Sequence, residues 1–239
     1  MKLLRSLLFV VVVVTSMVVA AVAGLPLLAL ARRRAGRLTR WFAGYITGLL
    51  RPLCGVTVEL RGLEHLQGGP VLIAAKHQSA LETYVLTARL PDASFVLKRE
   101  IVMVPLVGWY ISAIEPIAVD RGAGASALRS MVRNAKAAVA RGRSVVIFPE
   151  GTRTRPGQRA PYHPGVAALY GELGLPVVPM ALNTGHVWPR KSLIKHPGRA
   201  TLAFLEPIPP GMPRRAFLSL LEERIEAGCL ALENEISRS

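Results

Sequence analysis

The sequence predicts an α/β fold: a largely parallel or mixed central sheet flanked by helices, with an apolar helical segment ahead of it. Three observations carry that expectation. Past residue 52, short Val/Ile/Leu-rich runs alternate with longer stretches of helical periodicity. Several of those runs are near-continuous rather than alternating, as in strands covered on both faces. The 25 residues from Leu7 to Ala31, LLFVVVVVTSMVVAAVAGLPLLALA, carry no charge.

The apolar segment comes first in the chain. At about 1.5 Å per residue, a helix of that length crosses a bilayer core about 30 Å thick. Ala21 and Ala23 have the spacing of a signal-peptide cleavage site, but apolar residues continue past them, so an uncleaved membrane anchor is expected. Gly24 and Pro26 are the places where it would bend, giving a re-entrant or surface-lying helix. Arg32, Arg33, Arg34, Arg37 and Arg40 follow directly, and no acid occurs before Glu59. Only Lys2 and Arg5 precede the apolar run, so the heavier basic flank places the rest of the chain on the cytoplasmic side. Trp41, Phe42 and Tyr45 suit a helix at headgroup level. Residues 1–52 therefore read as a membrane anchor with an interfacial helix, and residues 53–239 as the α/β domain.

Strands are expected at 56–60, 71–75, 94–98, 116–120, 144–148, 176–182 and 200–206. Helices are expected at about 80–90, 104–113, 124–141, 164–173 and 214–236. The Pro-rich segment at 207–213 reads as a loop before the last helix.

Lys and Arg number 30 against 15 Asp and Glu, a net charge of +15. Such an excess calls for an anionic partner. Its concentration beside the anchor points to a lipid headgroup surface ahead of nucleic acid. The two cysteines, Cys54 and Cys229, form neither a metal-ligand spacing nor a disulfide framework. The histidines show no clustered ligand set either, and no metal is expected.

In such a sheet, chemistry gathers at the carboxyl ends of the strands. Two segments have that placement. KHQSALETY (76–84) follows VLIAA, and two readings of it stand. Ser79 and Glu82 have the spacing of a capping box, whereas His77 and Glu82 have the makings of a general base and the carboxylate that orients it. FPEGTRTRPGQ (148–158) follows SVVIF; its glycine allows close backbone approach, and Arg153, Arg155 and nearby Arg159 are suited to phosphate. Together they read as a site for a phosphorylated substrate.

Four ordered motifs then emerge: HQSALE (His77 to Glu82), a lysine-to-arginine segment from Lys98 to Arg121, FPEGTR (Phe148 to Arg153), and the Val-Pro strand VVPMA (Val177 to Ala181). In these the chain resembles the glycerolipid acyltransferase family, in particular the bacterial 1-acyl-sn-glycerol-3-phosphate acyltransferases, over roughly residues 55 to 206. Two features depart from the family pattern. Glu82 stands where Asp is usual, and Glu115-Pro116 and Ala118 stand where the second motif often has glycine and an aromatic.

The resemblance implies transfer of a fatty acyl group from acyl-CoA or acyl-carrier protein to the sn-2 hydroxyl of 1-acyl-sn-glycerol-3-phosphate, giving phosphatidic acid. The alternative acceptor is another lyso-lipid, such as a lyso-ornithine lipid. It implies His77 and Glu82 as the catalytic pair, and Lys98, Arg121, Glu150, Gly151, Thr152 and Arg153 as substrate-binding. Within that set, Lys98, Arg121 and Arg153 would hold the phosphate, and Glu150 a glycerol hydroxyl or Arg153. An alcohol is a poor nucleophile at neutral pH, and an imidazole with its ordinary pKa of about 6.5 suits the base. Backbone N–H groups near Ser79 to Leu81 are the expected oxyanion donors. No bound cofactor is implied, and no acyl-enzyme is needed, in keeping with the lack of a G-x-S-x-G elbow. Met103, Val104, Leu106 and Trp109 would either line an acyl-chain tunnel or form the buried or membrane-facing side of a helix. The implied location is the cell inner membrane, with the catalytic domain facing the cytoplasm.

Overall fold

The computed structural model describes residues 1–237. All seven predicted strands form one sheet: β1 (Val56–Arg61), β2 (Leu72–Ala75), β3 (Ala93–Lys98), β4 (Ile117–Val119), β5 (Ser144–Ile147), β6 (Val177–Leu182) and β7 (Gly198–Phe204). The order across the sheet is β1-β7-β6-β2-β5-β3-β4. Five neighbouring strands, β6-β2-β5-β3-β4, run parallel, while β7 lies antiparallel to β6 and carries β1 parallel to itself. The sheet is thus mixed, with the reversed pair confined to one edge.

The continuous apolar runs have a direct reason. Because side chains alternate across a strand, Ile73, Val146, Val178 and Met180 enter one apolar cluster, and Leu72, Val145, Val177 and Ala181 enter another on the opposite face. The first cluster is closed by α4 (Leu81–Arg89) and by helices from the N-terminus. The second is closed by α7 (Gly124–Ala140), α8 (Gly165–Leu173) and α10 (Arg214–Ser237).

The N-terminal apolar stretch is two helices rather than one, α1 (Lys2–Ala23) and α2 (Leu25–Leu30), followed by α3 (Arg32–Cys54). Pro26 lacks an N–H and its ring crowds the preceding turn, which ends α1. At Gly24 an added Cβ would lie 2.5 Å from Tyr110 Oη, so only glycine allows this approach. α1 does not stand off from the domain. Phe9 is buried in the same cluster as Ile46, Leu50 and Cys54 of α3 and the strand residues above. Arg5 Nε donates to Leu53 O at 2.7 Å, occupying a carbonyl at the end of α3. The outer face of α1, including Leu4, Leu8, Val11 and Val19, stays exposed, as do Trp41, Met103, Val104 and Trp109.

The helix expected at 104–113 begins earlier and is broken, giving α5 (Arg99–Met103) and α6 (Val107–Ser112). Pro105 interrupts it, and Leu106 takes a left-handed φ of 65°. A last short helix, α9 (Thr184–Val187), follows β6 and lies within the long loop toward β7.

Candidate active site

The five parallel strands end on one side of the sheet, and each delivers one part of the site there. His77 follows β2, Glu150 to Arg153 follow β5, Thr184 follows β6, Lys98 ends β3, and Arg121 comes two residues after β4. Residues scattered over 108 positions are therefore gathered by strand direction alone, as expected at the carboxyl edge of a parallel sheet.

His77 Nδ1 lies 2.8 Å from Glu82 Oε1. The same oxygen accepts from the backbone N–H of Gln78 at 2.8 Å and of Ser79 at 2.7 Å, while Oε2 accepts from Thr184 Oγ1 at 2.7 Å. Glu82 is fully buried, and this ring of donors is what holds a charged carboxylate there. Ser79 Oγ in turn accepts from Leu81 N–H at 3.1 Å. The carboxylate that reaches back to the Ser79 N–H is thus the same one that engages His77. With Nδ1 engaged, Nε2 is the ring nitrogen left for chemistry, and Phe148 stacks on the imidazole at 4.1 Å between centroids.

A cleft of about 1120 Å³ opens over this ring. One end is basic, lined by Lys98, Arg121, Arg153, Arg190 and Lys191. The rest is an apolar channel between α3, β3 and α6, lined by Phe42, Ala43, Ile46, Phe95, Ile111 and Ile114 among others. None of Met103, Val104, Leu106 and Trp109 lines it; Met103, Val104 and Trp109 are on the outer surface, and Leu106 packs against a small cluster formed by α1, α3 and α6.

The FPEGTR segment turns sharply at Gly151, whose φ is 64° and where a Cβ would meet the His163 ring at 2.7 Å. Arg121 Nη1 donates to Gly151 O at 2.7 Å, tying the β4 and β5 loops together. Gly151, Thr152 and Arg153 border the cleft. Lys98 borders it too, half exposed and paired with Glu100 at 2.9 Å.

Glu150 departs from the substrate-binding role expected of it. It is buried beneath the cleft, and its carboxylate is already committed. Oε2 accepts from the backbone N–H of His77 at 2.9 Å; Oε1 pairs with Lys76 Nζ at 2.9 Å and accepts from Thr154 Oγ1 at 2.9 Å. Thr154 N–H closes the connection by donating to His77 O at 2.8 Å. Glu150 therefore positions the histidine segment and does not face the cleft. The expected oxyanion donors are similarly reduced, because the N–H groups of Ser79 and Leu81 are occupied within the cap.

Sequence reasoning missed Lys76, the residue beside the histidine. It is buried, bonded to Glu150, to Glu226 of α10 at 2.6 Å and to Gln158 O at 3.0 Å. Burial pushes its pKa down, but the bonds to Glu226 and Glu150 outweigh burial and hold it above the ordinary lysine value. Thr184, Arg190, Lys191 and His163 were missed as well. No local pattern marks them, since each acquires meaning only through a residue distant in sequence. The cysteines stand outside this machinery. Burial pushes the Cys229 thiol up to about 12 and raises that of Cys54.

Comparison with known proteins shows the family. The family model described as Acyltransferase matches residues 57–183, more than half of the chain. A 1-acyl-sn-glycerol-3-phosphate acyltransferase of Pseudomonas aeruginosa is 41% identical over 150 residues, covering 63% of this chain and 58% of that protein. The corresponding protein of Limnanthes alba is 30% identical over 174 residues, covering 72% of this chain and 62% of that one. The matches thus span less than two thirds of these relatives' lengths. The crystal structure of the 1-acyl-sn-glycerophosphate (LPA) acyltransferase from Thermotoga maritima superposes with a TM-score of 0.79, covering 97% of this chain and 96% of that one at 23% identity, a likeness of fold. With the matched segment running from β1 to the end of β6 and enclosing His77, Glu82 and the FPEGTR turn, the chain belongs to the acyltransferase family.

Proposed function

We propose that the chain transfers a fatty acyl group from a thioester donor, acyl-CoA or acyl-carrier protein, to the sn-2 hydroxyl of 1-acyl-sn-glycerol-3-phosphate, forming phosphatidic acid. The observation that carries this reading is a single cleft lined by a carboxylate-oriented imidazole, by a set of cations and by many apolar side chains. A lysophosphatidate needs the basic end for its phosphate, the fatty acyl group needs the channel, and the reaction needs a base where they meet. The names of the relatives from Pseudomonas and Limnanthes support the same acceptor.

His77 Nε2 takes the proton of the acceptor hydroxyl as its oxygen attacks the thioester carbonyl. The tetrahedral intermediate collapses with loss of the thiolate, which recovers that proton from the imidazolium. Glu82 fixes the tautomer and stabilises the cation, the base-orienter arrangement of a hydrolase triad with a substrate hydroxyl in place of serine. The Ala80 N–H, at the start of α4 beside the cleft, is a donor for the oxyanion. Lys98, Arg121 and Arg153 hold the phosphate as monodentate or forked donors.

The exposed apolar face of α1, with Trp41, Met103, Val104 and Trp109, attaches the enzyme to the inner membrane on its cytoplasmic side. The arginines at the start of α3 support this, since cations at a helix N-terminus oppose its dipole and are relieved by lipid phosphate.

The test is an assay of membranes bearing the chain, with labelled acyl-CoA and 1-acyl-glycerol-3-phosphate, for wild type and His77→Ala. Phosphatidic acid formed by wild type and abolished in the variant is expected. A fully active His77→Ala protein would remove the mechanism.

A further inference from the structure

We infer that Arg190 is a further binding residue for the acceptor's phosphate, and that the docked helix α1 holds the loop that presents it. The inference rests on the acceptor assigned above. Arg190 lies beyond the segment shared with the family model, residues 57–183, and belongs to none of the four motifs. It borders the same cleft as His77 and Arg153. Its Nη1 donates to Arg153 O at 2.6 Å. A guanidinium has five N–H donors in a fixed plane, so this one bond sets the orientation of the fork and leaves donors for an anion. Of the motif cations at this end, Lys98 is engaged by Glu100 and Arg121 by Gly151 O. Arg121 and Arg190 are each held by one such bond and keep their other donors, so Arg190 adds a further fork to those of Arg121 and Arg153.

The loop carrying Arg190 is gripped at both ends by α1. At one end Trp188 meets Phe9 edge-to-face, with ring centroids 5.5 Å apart, and stacks on Tyr84 at 6.0 Å. At the other end the Lys195 backbone N–H donates to Ser6 Oγ at 2.9 Å. The Lys195 ammonium lies 4.6 Å from the Trp188 ring centroid and 5.7 Å from that of Phe9, and bonds Leu193 O at 3.0 Å. Arg190 sits between these two anchor points. An exposed loop of this kind would otherwise lose binding energy to ordering its arginine, and α1 supplies that order. On this view α1 contributes to acceptor binding as well as to membrane attachment.

The experiment uses the full chain in detergent–lipid mixed micelles, so that membrane delivery is not limiting. Wild type, Arg190→Gln, Arg190→Lys, Phe9→Ala and Ser6→Ala are compared for kcat, for KM toward 1-acyl-glycerol-3-phosphate, and for competitive inhibition by sn-glycerol 3-phosphate. Arg190→Gln is expected to raise both KM and the inhibition constant about tenfold, with kcat within about twofold. Arg190→Lys should recover part of the loss. Phe9→Ala should reproduce the KM effect; Ser6→Ala, which removes the bond from Lys195 N–H along with one within α1 to Lys2 O, should do so to a smaller degree if Phe9→Ala fails to fold. Unchanged KM and inhibition constant in Arg190→Gln, or a fall in kcat alone, would overturn the assignment. Unchanged KM in folded Phe9→Ala and Ser6→Ala would overturn the part given to α1. If wild type makes no phosphatidic acid, the acceptor reading itself fails and the inference falls with it.

Discussion

Thr184 Oγ1 donates to Glu82 Oε2 at 2.7 Å, across 102 residues of sequence, and so occupies the carboxylate oxygen that does not face His77. Both groups are fully buried. The hydroxyl thus completes, from outside the histidine motif, the hydrogen bonding of the proposed catalytic pair. Thr184→Val, close in shape but without the donor, is expected to lower kcat about tenfold with KM within about twofold, since it loses a hydrogen bond to a buried charge. Thr184→Ser should restore most of the rate. Steady-state kinetics of the two variants check this; equal losses in both would assign Thr184 to packing.

Gly151 and Gly157 separate backbone strain from local crowding. Both have positive φ, 64° and 72°, but only at Gly151 would a Cβ strike a neighbour, the His163 ring. Gly157→Ala should cost about 1 kcal/mol from the left-handed backbone alone. Gly151→Ala should cost about 2–3 kcal/mol and depress activity further by displacing the Arg153 loop. Thermal unfolding and kcat/KM of the two variants, measured side by side, test the ordering.

Lys76 is the shared partner of Glu150 and Glu226. Removing it leaves two buried carboxylates without their cation, so Lys76→Met is expected to destabilise by about 3–5 kcal/mol. The pH dependence follows from its raised pKa. Its contribution is complete below the unfolded-state value, about 10.4, and is lost as pH rises through the higher folded-state value. Denaturant unfolding from pH 8 upward should show wild type losing stability at the alkaline end. Lys76→Met should lack that component.

Thiol chemistry offers a simple negative control. Burial keeps Cys229 and Cys54 protonated at neutral pH, and neither borders the cleft. Treatment with N-ethylmaleimide at pH 7 should leave activity intact, and a Cys54→Ala/Cys229→Ala protein should turn over at the wild-type rate. Inactivation together with trapping of an acylated cysteine would instead require a covalent route.

Much of this protein is determined by local sequence. The seven strands were legible because a strand buried on both faces needs an unbroken apolar run, whichever partners it finds. The placement of His77 and the FPEGTR turn was legible for a related reason, since in a parallel sheet the residues just past a strand share one edge. What tertiary structure alone decided are relations between distant segments. The antiparallel β7 and its partner β1 depend on which edge the chain returns to, and no residue in β7 states that direction. Glu150 looks like a substrate ligand in sequence because its burial under Lys76, Thr154 and the His77 backbone arises only when three segments meet. The uncharged N-terminal run reads as an anchor because length and hydropathy do not register that Phe9 and Ser6 have partners 179 and 189 residues downstream, at Trp188 and Lys195. Phe9–Trp188 spans 179 residues and Ser6–Lys195 spans 189, so the helix that sequence assigns to the membrane alone is also assigned, by packing, to the catalytic domain.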